Sequence, residues 1–85
     1  MRAEFTDYLD DLSIGDLEQE HIAHSDEDAE CEWSVFLALD PVGTWVGVVS
    51  EVGADAAAMD VEWFLSLERA RLEAEAVVAN LRTTA

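Results

Sequence analysis

CEWSVFLALDPVGTWVGVVSEV, residues 31–52, carries the strongest structural signal in the chain. Cys31, Trp33, Val35, Leu37 and Leu39 alternate with Glu32, Ser34, Phe36 and Ala38, which is the period of an extended strand whose side chains point to opposite faces in turn. A second run from Thr44 to Val52 is dominated by β-branched and aromatic residues and reads as another strand. Between them stands Asp40-Pro41-Val42-Gly43. Proline supplies the fixed φ of a type I turn and glycine the left-handed residue that closes it, so residues 31–52 are expected to form a hairpin. With Asp40 opposite Thr44, Trp33, Val35, Leu37, Leu39, Trp45 and Val49 would share one face. Phe36, Ala38, Val46, Val48 and Val52 would share the other. Both faces are then apolar, and a small sheet apolar on both sides needs a cover on each.

Upstream, Glu18, Glu20, Ile22 and His24 alternate with Gln19, His21 and Ala23. This segment fits an edge strand better than a short helix capped by Asp16 and Gln19, because a two-stranded sheet is marginal by itself. Further upstream, Phe5, Tyr8, Leu9 and Leu12 fall at helical spacing, so a short helix is expected near residues 3–12, ending around Gly15. Downstream, residues from Asp55 to about Arg82 contain no Gly or Pro and carry Phe64, Leu67, Ala74, Val78 and Leu81 as a stripe, which predicts one long helix. At 1.5 Å per residue such a helix is roughly 40 Å long. The expected fold is α+β, with a short N-terminal helix, a two- or three-stranded antiparallel sheet and a long C-terminal helix, in a single domain over residues 1–85. A domain of this size is only about 30 Å across. The overhanging helix and the two-faced sheet together lead to the expectation of a homodimer.

Half of the 85 residues are apolar, enough for a core despite a charged fraction of 28 %. Twenty acids face four arginines and no lysine, for a formal net charge of −16. A field of that sign repels nucleic acid and anionic lipid and attracts basic protein surfaces. The charge is concentrated: residues 1–32 hold twelve of the acids and only Arg2. The expected binding residues are Asp7, Asp10, Asp11, Glu18, Glu20, Asp26, Glu27, Asp28, Glu30 and Glu32. On extended strands, Glu18 with Glu20 and Glu30 with Glu32 would each be spaced about 6.6–6.8 Å, close to every second phosphate of a nucleic-acid strand.

Other chemistry finds less support. His21, His24 and Cys31 are metal-capable residues without paired zinc spacing. Asp26, Asp28 and Glu30 begin like a calcium loop, but Cys31 stands where that loop needs glycine. A nucleophilic Cys31 with His21 or His24 as base conflicts with its expected place on a buried strand face, where thiols are inert. Arg69 and Arg71 precede Glu73 and Glu75 by four residues, the spacing of intrahelical ion pairs. No metal, cofactor or catalytic residue is expected. A single cysteine and the absence of an apolar leader-like run at the start lead to the expectation of a reducing, cytoplasmic setting.

The sequence therefore reads as an acidic protein-interaction module rather than an enzyme. It would be an inhibitor or decoy that occupies the basic surface of a nucleic-acid-binding protein, in the manner of phage counter-defence or immunity proteins. The alternative is a dimeric structural or accessory subunit whose acidity reflects a halophilic or GC-rich setting.

Overall fold

A computed structural model describes residues 12–53 and 58–84 of the chain. A 3-10 turn at Ile14–Asp16 leads into strands β1 (Glu18–His24), β2 (Trp33–Leu39), β3 (Val46–Val52) and β4 (Ala58–Phe64), then helix α1 (Leu67–Thr84). The strands pair antiparallel in the order β1-β2-β3-β4, and α1 packs mainly on β2 and β3 and less on β4. The α+β class, the hairpin and the strand over residues 18–24 agree with the sequence reading. The sheet has four strands instead of two or three, and the helix expected at residues 3–12 lies outside the described residues. Gly15 does not end a helix in the left-handed region. It sits inside the 3-10 turn, and the described glycines with positive φ are Gly43 and Gly53.

The hairpin turn forms as its residues dictate. The Gly43 amide donates to the Asp40 carbonyl at 3.0 Å, with Gly43 at φ +81°. Its register differs from expectation by one residue, however. The Asp40 amide donates to the Trp45 carbonyl at 3.1 Å, and Leu39 pairs with Val46. The cause is the Asp40 side chain, whose Oδ1 accepts from the amides of Thr44 at 2.7 Å and Trp45 at 2.8 Å. These bonds hold Thr44 in the loop rather than in the ladder. A one-residue shift exchanges the faces of a whole strand. Val46, Val48 and Val52 therefore join Trp33, Val35, Leu37 and Leu39, while Val49 joins Phe36 and Ala38.

The first of these faces receives α1. Trp33, Val35 and Leu37 of β2 and Val46 and Val48 of β3 pack with Ala70, Ala74 and Val78, bordered by Leu39, Val52, Phe64 and Leu81. Ala70 and Ala74 are one turn apart on the helix, and their small side chains let its backbone come close to the broad valine surface. On the opposite face, register aligns Phe36, Val49 and Val61, and beside them Ala38, Gly47 and Trp63. The Trp63 ring lies over Gly47, where an added methyl carbon would meet Cζ3 at 2.9 Å. Glycine is needed there for the close approach.

Residues 58–64 correct the long-helix expectation. Met59, Val61 and Trp63 alternate with Asp60 and Glu62, and all seven residues pair with β3 without interruption. Pairing with an existing sheet outweighs the helix propensity of this stretch. The helix begins instead at Leu67, capped by Ser66, whose Oγ accepts from the Arg69 amide at 3.3 Å and whose carbonyl accepts from the Ala70 amide at 3.0 Å. Its 18 residues span about 27 Å, close to the roughly 23 Å of a seven-residue strand. The helix matches the sheet it covers, so the length mismatch behind the dimer argument disappears.

Asp40 is 4 % exposed, and its Oδ2 has no hydrogen-bond partner. Replacing it with Ala removes two charge-assisted bonds and should cost about 2–3 kcal/mol. Asp40→Asn keeps an oxygen for both amides and should cost less than half as much. Urea denaturation with an unchanged m-value checks this, and equal losses in the two variants would show that the paired amides do not set the turn.

Candidate interaction surface

The ten expected binding residues divide into three groups. Asp7, Asp10 and Asp11 lie outside the described residues. Glu18 and Glu20 lie on edge strand β1, paired with Leu39 and Leu37 and therefore on the face that carries α1. Asp26, Glu27, Asp28, Glu30 and Glu32 all lie in the connection between β1 and β2, and all five are exposed. Glu30 and Glu32 are not strand residues, because β2 starts at Trp33. The double row of carboxylates at phosphate-like spacing is therefore replaced by one pair on a strand and five on a loop.

That loop is narrow at its base. The Ser25 amide donates to the Trp33 carbonyl at 2.9 Å, and the Trp33 amide donates to Ser25 Oγ at 3.1 Å. A turn inside it is closed by the Ala29 amide on the Asp26 carbonyl at 3.1 Å. At its end the Gly53 amide donates to the Glu32 carbonyl at 2.7 Å, tying the loop to the end of β3. The backbone is thus held at both ends while the carboxylates project into solvent. Concentrating like charge in this way is possible because each group stays hydrated, where repulsion is weak. Beside the loop, Trp33 is buried, and the Arg82 guanidinium stands 5.9 Å from its ring centroid, within cation–π range. His24, Ser25, Asp26, Ala29, Trp33 and Arg82 line a shallow groove there.

Glu20 is already engaged. Arg71 donates from Nη1 to Oε2 at 2.6 Å and from Nη2 to Oε1 at 2.9 Å. Among the described residues this is the one ion pair. It replaces the expected pairing of Arg71 with Glu75 and links α1 to the outer strand of the sheet. Because both side chains are about half exposed, the pair is worth no more than about 1 kcal/mol. Its larger effect is to remove Glu20 from the set of uncompensated charges.

The Cys–His reading changes as well. Cys31 is exposed in the loop rather than buried on a strand. His21 and His24 meet each other, with Nε2 of the first 3.0 Å from Nδ1 of the second. The contact is made possible by a β-bulge at Ile22, which shifts the β1–β2 register between His21 and Ala23. Among the described residues, no group of three or more His, Cys, Asp or Glu side chains is arranged to hold a metal. No described helix is long and apolar enough to cross a membrane. No protein-family model, curated protein or solved structure matches the chain.

Sequence reasoning placed Asp60 and Glu62 on a helix, whereas they are exposed on β4, the second edge of the sheet. The alternation of Met59, Val61 and Trp63 with these acids was the available signal.

The position of Cys31 has a direct chemical consequence. Its thiol should react with a disulfide reagent in the folded protein within about threefold of the rate in denaturant, since exposure governs access. Protection by an order of magnitude would place the thiol in a covered environment instead.

Proposed function

We propose that this chain is an acidic protein-interaction module that occupies the basic surface of a nucleic-acid-binding protein as an inhibitor or decoy. The reading rests on the loop carrying Asp26, Glu27, Asp28, Glu30 and Glu32, all exposed and none of them ion-paired among the described residues. Glu18 lies exposed on the adjoining strand. Uncompensated carboxylates raise the local concentration of a cationic partner and speed its association. The loop mechanism is one of charge density, not of phosphate-matched spacing. The partner is recognised by its Lys and Arg side chains.

The binding is expected to weaken steeply with salt, because the Debye length falls from about 30 Å at about 0.01 M to about 8 Å at physiological ionic strength. The test captures nucleic-acid-binding proteins from the native host on immobilised chain and then adds competing duplex DNA. Release by DNA and by salt, together with loss of capture when Glu27, Asp28, Glu30 and Glu32 are changed to Lys, is the expected result. Capture that survives the four substitutions in a folded variant contradicts the proposal.

One observation favours a second reading, a dimeric accessory subunit with environmental acidity. Leu65, Leu67 and Leu72 are all substantially exposed, and Leu72 lies on the side of α1 away from Ala74 and Val78. An apolar interface there would give a dimer mass by light scattering at micromolar concentration, and Leu72→Glu would return it to a monomer. A monomer mass for the unaltered chain removes this second reading.

A further inference from the structure

The two edges of the sheet are unlike. On β1, the bulge at Ile22 interrupts the ladder, and Glu18, Gln19 and Glu20 crowd one end; both features are devices that discourage a further strand. Strand β4 has neither bulge nor proline, and it keeps seven consecutive pairs with β3. Ala58, Met59, Asp60 and Glu62 are exposed along it. Among the described residues no strand lies beyond it, and alternate backbone groups on the outer side of such an edge can pair with another strand.

Side-chain charge selects what can pair there. Asp60 and Glu62 lie opposite Ser50 and Val48, hence on the face that carries α1, while Met59, Val61 and Trp63 lie on the other face. Neither acid is in an ion pair among the described residues. On α1, Arg71 lies on the side that reaches β1. Helical spacing then puts Glu73 on the β4 side, together with Arg69. Three carboxylates thus border this edge with one guanidinium. A second copy of β4 is a poor occupant. If it pairs antiparallel with both helices on one face, centring at Asp60, Val61 or Glu62 sets carboxylate against carboxylate, and like charges directly opposite are destabilising. The charge of −16 on each copy opposes the approach as well.

We propose that β4 is a docking edge for an extended basic segment of a partner protein, which adds to the sheet as a fifth strand. Its Lys or Arg side chains, two residues apart, face Asp60 and Glu62. Its intervening apolar side chains lie beside Met59, Val61 and Trp63. Strand addition supplies affinity through the backbone, and the alternating side chains supply specificity. This inference deepens the proposed function and rests on it: the acidic loop attracts the basic partner, and β4 gives that partner a defined register.

The test uses the full chain, labelled with nitrogen-15, and a synthetic heptapeptide of alternating Lys and Val as the probe. Two controls are the same peptide N-methylated at alternate residues, which keeps its charge but loses one row of amide donors, and a peptide with Glu in place of Lys. The expected result is at least about tenfold slower hydrogen exchange at alternate β4 amides with the unmethylated peptide alone. Changing Asp60 and Glu62 to Lys should weaken that binding at least about tenfold, while circular dichroism and the resonances of the hairpin turn stay unchanged. Equal binding of the methylated peptide, or perturbation confined to residues 25–32, overturns strand addition but leaves the acidic-module reading standing. Slowed exchange at β4 that grows with protein concentration in the absence of peptide would mean self-pairing, and it overturns the proposal too. If the Lys peptide binds nowhere on the chain, both readings fall.

Discussion

The Asp40 carboxylate decides which side of the sheet each β3 residue occupies. Its Oδ1 receives two consecutive amides, Thr44 and Trp45, and so keeps Thr44 out of the ladder. Every later pairing follows from that. Leu39 meets Val46, Leu37 meets Val48, and the valines of β3 fall on the side where Ala70, Ala74 and Val78 of the helix arrive. The uninterrupted pairing of β3 with β4 then passes the choice outward and sets Asp60 and Glu62 on the helix side, with Met59, Val61 and Trp63 on the other. A shift of one residue would place Val49 under the helix and Val46 and Val48 on the opposite face. One charged side chain in a turn therefore controls the core and the chemistry of a distant edge.

The strong acidity is compatible with this fold because charge and core are kept apart. Fourteen of the fifteen acids on described residues avoid full burial, and the exception, Asp40, is the one that holds the turn. The Arg71–Glu20 pair links the helix to β1, but its exposure limits its contribution to stability. Burial of valine, leucine, alanine and Trp33 between helix and sheet supplies the main driving force. Apart from Glu20, the surface carboxylates are in no ion pair among the described residues.

Much of the fold was legible locally. Alternation in residues 31–39, the β-branched and aromatic content of residues 44–52, the Asp-Pro-Val-Gly turn and the strand at residues 18–24 all depend on residues close together in the chain. The loss of β4 to a predicted helix has a different origin. Residues 58–64 contain alanine, methionine and glutamate, which also suit a helix, and only the presence of an open β3 edge makes the extended form preferable. The sequence signals that separate the two elements are Ser66, a residue favoured at a helix N-cap, and the alternation of Met59, Val61 and Trp63 with Asp60 and Glu62. The placement of Cys31, Glu30 and Glu32 on β2 failed because strand periodicity does not say where pairing stops. Ser25 closes the loop at Trp33.

By itself the sequence determined the α+β class, the hairpin with its turn, and the concentration of acid in the first third of the chain, since these follow from composition and short-range spacing. Only the folded structure decided the register, the fate of residues 58–64 and the separation of Glu20, neutralised by Arg71 from 51 positions away, from the exposed carboxylates of the loop. The register turns on bonds made inside the turn, Asp40 Oδ1 with the amides of Thr44 and Trp45, which the alternation of side chains does not encode. The other two depend on a β3 edge and an arginine that become neighbours only after the chain has folded.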